Sequence, residues 1–171
     1  MDNVIVLTFS ATERAPEALQ GLRQLHDAGD IRLEAVALVE RTEDGRTVVL
    51  DQAEDVRIKA TATGGVIGGI IGLLGGPFGL FLGGATGAVV GSLIDIAEVE
   101  GSDDVLRTFA QAVPPGHTGT IAVIEEPTYA AVDALASGLG VSVLRRPRGE
   151  VELEIAEAEE AALLREQEES S

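Results

Sequence analysis

Three features of the sequence predict an α+β fold. Short apolar runs rich in β-branched residues recur along the chain, each bounded by polar or turn residues, and read as strands. Stretches with apolar residues three or four apart lie between them and read as helices. The resulting order, strand–helix–strand–strand and then helix–strand, is that of a ferredoxin-like split β-α-β sheet, here followed by an extra helix and strand.

The elements follow in order. Val4-Ile5-Val6-Leu7 is a buried strand. Thr12-Glu13 opens a helix, with Pro16 tolerated in its first turn and Ala15, Ala18, Leu19, Leu22 and Leu25 on one side. Ala28-Gly29-Asp30 ends it. Ile31, Leu33, Ala35, Ala37 and Val39 alternate with Arg32, Glu34, Val36 and Leu38, as in a strand with one wet end. Glu43-Asp44-Gly45-Arg46 is a hairpin turn, and Thr47-Val48-Val49-Leu50 the return strand. In the second half, Ser102 caps a helix whose apolar side is Val105, Leu106, Phe109, Ala110 and Val113. Pro114-Pro115-Gly116 breaks it. Thr120 to Ile124 is a buried strand, Thr128 caps a helix through Leu139, and Val141, Val143 and Leu144 form a last strand. Helices on one face of the sheet satisfy this order. Residues 150–154 alternate like a strand, and helix composition takes over from about 155. The chain thus divides into one domain over 1–149, carrying a glycine-rich insert at 63–94, and an acidic C-terminal helix or tail over 150–171.

Composition removes whole classes of function. The 171 residues include no cysteine, no tryptophan and two histidines, which excludes disulfides, thiolate or histidine-rich metal sites and a cysteine nucleophile. The net charge of −17 repels a phosphate backbone, and aromatics at 3% provide no stacking platform, so nucleic acid is not an expected partner. The first residues lack the basic and apolar regions of a signal peptide. A protein of the cytoplasm, or of the cytoplasmic face of the membrane, is expected, and not a secreted one.

Charge is distributed unevenly. Residues 63–94 contain no charged side chain and hold 12 of the 21 glycines. Residues 150–171 carry nine Glu and one Arg, net −8. Gly75-Gly76-Pro77 divides the uncharged stretch into Thr63–Leu74 and Phe78–Ile94, the pattern of a helical hairpin. The first piece, at about 18 Å, is too short to cross a bilayer core of about 30 Å. Gly64, Gly68 and Gly72 recur at spacing four, and so do Gly79, Gly83, Gly87 and Gly91. On a helix each series forms a ridge that allows another backbone to approach closely, the small-xxx-small packing of membrane helices. In water each such glycine costs about 1 kcal/mol of helix propensity relative to Ala, so packing or lipid must return the loss. Two readings follow. In the first, the ridge mediates membrane association through 63–94 or homo-oligomerisation. In the second, the hairpin is packed as core in a soluble domain that binds a small molecule or has a regulatory role. A phosphate-cradling loop is disfavoured, because no Gly-Lys-Ser/Thr follows Thr63-Gly64-Gly65-Val66-Ile67-Gly68-Gly69.

The turn Arg41-Thr42-Glu43-Asp44-Gly45-Arg46, the block from Gly83 to Asp95, and Pro115-Gly116 before the strand at Thr120 together resemble a bacterial glycine-zipper family of unknown function, often labelled "predicted membrane protein". The resemblance spans roughly residues 2–146, and Asp103-Asp104 matches the aspartate pair that follows the zipper in the family. It implies this architecture and no activity, cofactor or catalytic residue.

The remaining candidates for chemistry are sparse. Asp95, Glu98, Glu100, Asp103 and Asp104 form an acidic cluster without EF-hand spacing, and read as a solvated linker and helix N-terminus. His117 lies in a loop with no Ser/His/Asp set around it, and His26 lies late in the first helix. Arg145, Arg146 and Arg148 form a basic cluster that pairs with the Glu-rich tail or touches anionic headgroups, pairing being the favoured reading. No cofactor, metal ligand or enzymatic activity is expected. The partner expected is a second copy of the chain.

Overall fold

The structure, a computed structural model, describes residues 1–44, 47–52, 63–74, 108–109 and 111–157. Five strands form one sheet: β1 (Asp2–Phe9), β2 (Arg32–Arg41), β3 (Thr47–Gln52), β4 (His117–Glu125) and β5 (Val143–Pro147). Their order is β3-β2-β4-β1-β5, and every neighbouring pair is antiparallel. The helices are α1 (Ala15–Ala28), entered through a 3-10 turn at Thr12–Arg14, then α2 (Thr63–Leu74), α3 (Ala130–Leu139) and a helix, α4, at 148–157, and residues 108–109 and 111–112, within the helix expected before Pro114, are helical too. The fold is therefore α+β.

The centre of the sheet is β1, β4 and β2, each buried along most of its length. Continuous burial requires cover on both faces. On one face α1 and α3 pack against Ile5, Leu7, Phe9, Val36, Leu38, Ala122 and Ile124. On the other, α2 contributes Val66, Ile67 and Ile70, and α4 contributes Val151 and Ile155, over Val4, Val6, Ala35, Ala37, Val39, Ile121 and Val123. Phe109 and Val113 complete that second core. One expectation is corrected here: the helices cover both faces and not one, and the first helix of the insert forms part of the cover on the second face.

Strand roles also differ from the reading above. The return strand β3 is an edge strand paired only with β2, while β5 pairs with β1. β3 and β5 are thus the two edges of the sheet. Within β2 the pairing with β4 shifts between Leu33 and Ala35, leaving Glu34 as the extra residue of a bulge. The bulge turns Ile31 and Leu33 to the α1 side, while Ala35, Ala37 and Val39 face α2. The single alternation expected over 31–39 is therefore broken at Glu34.

Turn chemistry accounts for the joints. Gly29, at φ 81°, caps α1, its N–H donating to the His26 carbonyl at 3.0 Å while that of Asp30 reaches Leu25 at 3.0 Å. Gly140, at φ 71°, ends α3. α3 begins at Ala130 with no side-chain cap, so Thr128 does not act as expected. The 113–116 turn is held at its ends by Thr8 Oγ1 donating to the Ala112 carbonyl at 2.6 Å and by the Gly116 N–H donating to that of Arg41 at 2.6 Å. Ser102 and the turn residues Gly45 and Arg46 lie outside the described residues.

One glycine in β4 is required sterically. A Cβ on Gly119 would lie 2.6 Å from Val113 Cγ2 and 3.6 Å from Val39. Gly119→Ala is expected to lower stability by about 1–3 kcal/mol through overpacking, read as a lower urea midpoint with unchanged slope; an unchanged midpoint contradicts the packing.

Candidate functional site: the α2 glycine face and the Glu126–Arg145 cluster

In α2 the apolar side chains Val66, Ile67 and Ile70 point into the core. The opposite side carries glycine. Gly65 and Gly68 are exposed, and a Cβ built on either meets nothing within 4 Å. Gly64 and Gly72 fall on the Gly68 side by helical spacing. Gly69 differs, since a Cβ there would lie 2.9 Å from Ile155 Cδ1 and 3.0 Å from its Cγ2. The helix therefore has one glycine that its own α4 requires and an outward glycine face that nothing in the described structure fills. Gly79, Gly83, Gly87 and Gly91 lie outside the described residues, as do Asp95, Glu98, Glu100, Asp103 and Asp104. α2 is 12 residues long, and among the described residues no helix is long and apolar enough to cross a membrane.

The second feature is a polar cluster at one end of the sheet. Glu126, just past β4, has no exposed surface. Arg145 of β5 donates from Nε to Glu126 Oε1 at 2.8 Å and from Nη2 to Oε2 at 3.3 Å, a two-pronged pair. Asn3 Nδ2 of β1 donates to Oε1 at 2.9 Å. Arg145 also pairs through Nη1 with Asp133 Oδ1 of α3 at 2.7 Å, and its guanidinium lies 4.6 Å from the Tyr129 ring centre. Burial works against the Arg145 charge, but the hydrogen bonds and charges of Glu126 and Asp133 outweigh it and raise its pKa above the ordinary arginine value. Each carboxylate oxygen of Glu126 is thus partnered, which is how a buried charge is tolerated. The cluster fastens β1, β4, α3 and β5 together. Sequence reading missed it, because a lone Glu between a strand and Pro127 carries no local signal of burial.

The three arginines of the basic cluster separate in space. Arg145 lies on the α3 side. Arg146 reaches Thr108 Oγ1 at 3.4 Å on the other face. Arg148 pairs with Glu152 at 2.6 Å and with Glu34, the bulge residue, at 2.6 Å. The Glu152 hydrogen bond leads among the influences that raise the Arg148 pKa. Among the described residues, Arg148 takes a partner from the Glu-rich segment, Glu152; residues 158–171 of that segment lie outside the described residues. His26 Nδ1 accepts the Leu33 N–H at 3.2 Å and ties α1 to β2, and His117 Nδ1 lies 3.2 Å from the Pro115 carbonyl oxygen.

Against this geometry, comparison with known proteins gives one result. A protein family of unknown function (DUF1269) matches residues 61–164, more than half of the chain. The chain belongs to that family. The match takes in α2, β4, α3, β5 and α4 and starts after β3, whereas the resemblance drawn from sequence was placed over 2–146. The family description names neither an activity nor a membrane role. No curated protein and no solved structure matches significantly.

Proposed function

We propose that this chain is a non-enzymatic scaffold that self-associates through the outward glycine face of α2, on a sheet of ferredoxin-like type with one added edge strand. The fold reading is supported by the order β5-β1-β4-β2, in which β1 and β2 run parallel on either side of β4, the arrangement of a split β-α-β unit.

The observation that carries the functional reading is the contrast between Gly68 and Gly69. Gly69 has a steric reason inside the protomer, and among the described residues Gly68 has none. A helix interior glycine costs about 1 kcal/mol relative to Ala, and at Gly68 the described residues offer no return for it. Close approach of a second α2 provides one, since small residues four apart let two backbones meet. Lipid is a poorer partner for this side, because an outward glycine buries little apolar area, while the large side chains Val66, Ile67 and Ile70 are already committed to the core. Light scattering tests this. The wild type is expected as a defined multimer and Gly68→Leu as a folded monomer with an unchanged circular dichroism spectrum. A monomeric wild type, or a variant with the same mass as the wild type, overturns the proposal.

A second reading, a small-molecule or regulatory domain in which the hairpin is core, draws support from the burial of Val66, Ile67 and Ile70. On that reading Gly68→Ala, which meets nothing within 4 Å among the described residues, leaves the mass unchanged and raises stability by about 0.5–1 kcal/mol through helix propensity alone.

A further inference from the structure

We propose that His26 is a pH-sensitive latch on the joint between α1 and β2: as a neutral ring it holds the Leu33 N–H, and on taking a proton it lets go. His26 is exposed in the last turn of α1, and its Nδ1 accepts the Leu33 N–H at 3.2 Å. A ring nitrogen that accepts carries no proton, so the bond selects the neutral ring with its proton on Nε2. Leu33 is buried and immediately precedes Glu34, the bulge residue of β2. The chain between ring and amide is pinned as well. The Gly29 N–H donates to the His26 carbonyl, and those of Asp30 and Ile31 donate to the Leu25 carbonyl. The latch thus closes a short loop just before the point where the strand changes register.

The sign follows from the donors. Imidazole is the side chain whose ordinary titration falls between about pH 5 and 8. Once both ring nitrogens carry protons, Nδ1 is a donor and confronts another donor, the Leu33 N–H. The bond is therefore present above the titration of the ring and lost as the pH falls through it. The charged groups around the joint are accounted for. Arg23, Asp27 and Asp30 belong to α1 and its terminal turn. At this end of the elements packed against α1, Arg32 of β2 pairs with Glu125 of β4, Glu34 with Arg148, and Asp133 of α3 with Arg145, while Asp2 of β1 is exposed. These groups tune the pH at which the ring is charged, and the acceptor that Leu33 loses is the ring nitrogen itself. Opening frees residues 30–34 and loosens the bulge. α4 stays seated, because Val151 and Ile155 remain buried and Glu154 keeps an interaction of its own. Leu33 packs on the α1 side of the sheet, so the latch is independent of self-association through Gly68 on the other side.

The test is amide hydrogen exchange on the full chain between about pH 8 and about pH 5.5, read as protection factors so that the intrinsic pH dependence of exchange is removed. Leu33 is expected to lose protection on the order of tenfold on acidification, the effect of one lost hydrogen bond. The loss should run in step with the His26 ring titration followed by NMR, with β1 and β4 unchanged. His26→Asn places a non-titrating oxygen, Oδ1, at the same place along the side chain as Nδ1, and should keep Leu33 protected at both pH values. His26→Phe removes the acceptor and should leave Leu33 open at both. His117→Gln, which removes the second of the two histidines, should leave the pH effect in place. Leu33 protection that is independent of pH, a fall shared equally by β1 and β4, or a His26→Asn variant that keeps the full pH effect overturns the proposal.

Discussion

Arg145→Met is expected to cost about 3–5 kcal/mol of unfolding free energy, the effect of removing one partner from a buried ion pair. Glu126 has no exposed surface, and without Arg145 its remaining side-chain partner is the Asn3 amide. The reciprocal change is milder. In Glu126→Leu the arginine, 16% exposed, retains Asp133 at 2.7 Å and the Tyr129 ring. The double variant Glu126→Leu/Arg145→Met leaves no unpaired buried charge, and Asp133, more than half exposed, is resolvated. It should recover much of the single loss, keeping a deficit of about 1–3 kcal/mol for the stranded Asn3 amide. Urea unfolding of the wild type, both single variants and the double variant measures the coupling. If the two single costs simply add, the cluster is not the unit described here.

How far the sequence discloses this arrangement depends on which interaction fixes each part. The strands and α1 are legible because their signals are local: Val4 to Leu7 and Ile121 to Ile124 are continuous apolar runs, and Gly29 stops α1 where the left-handed cap requires it. Those same runs held the clue to two-sided cover. An unbroken apolar strand has no wet face, so a helix layer on each side is required, and the insert was available to supply one. The side of the sheet on which Leu33 lies was not legible. It is decided by the bulge at Glu34, and the sequence alternates smoothly through it. The strand-like alternation of Val151, Leu153 and Ile155 misled for a related reason. In the helix at 148–157 Val151 and Ile155 are one turn apart and share the core side, while Leu153 points to solvent. Pairing partners were the least legible of all, because Glu126 and Arg145 meet only after β4, β1 and β5 have assembled.

The glycine pattern shows the same division. Spacing four gave equal weight to every glycine of the ridge, yet the described part of the insert sorts them by what lies opposite. This sorting makes the core half of α2 the sharper test of the architecture. Ile70 is completely buried between the second face of the sheet and its neighbours in that core. Ile70→Ala removes methyl and methylene groups from a site whose surroundings, the rigid central strands β1, β2 and β4, cannot collapse to fill the space. A loss of about 2–5 kcal/mol is expected, with no change in the association state measured for the wild type at low denaturant. Leu substitution at Gly68 should act in the opposite way, altering association while the protomer's unfolding midpoint does not fall, the gain in helix propensity being about 0.5–1 kcal/mol. Were α2 a lipid or partner element lying free of the domain, Ile70→Ala would leave the unfolding transition in place. A transition that falls with Ile70 and not with Gly68 assigns the inner side of one helix to folding and leaves its outer side for association.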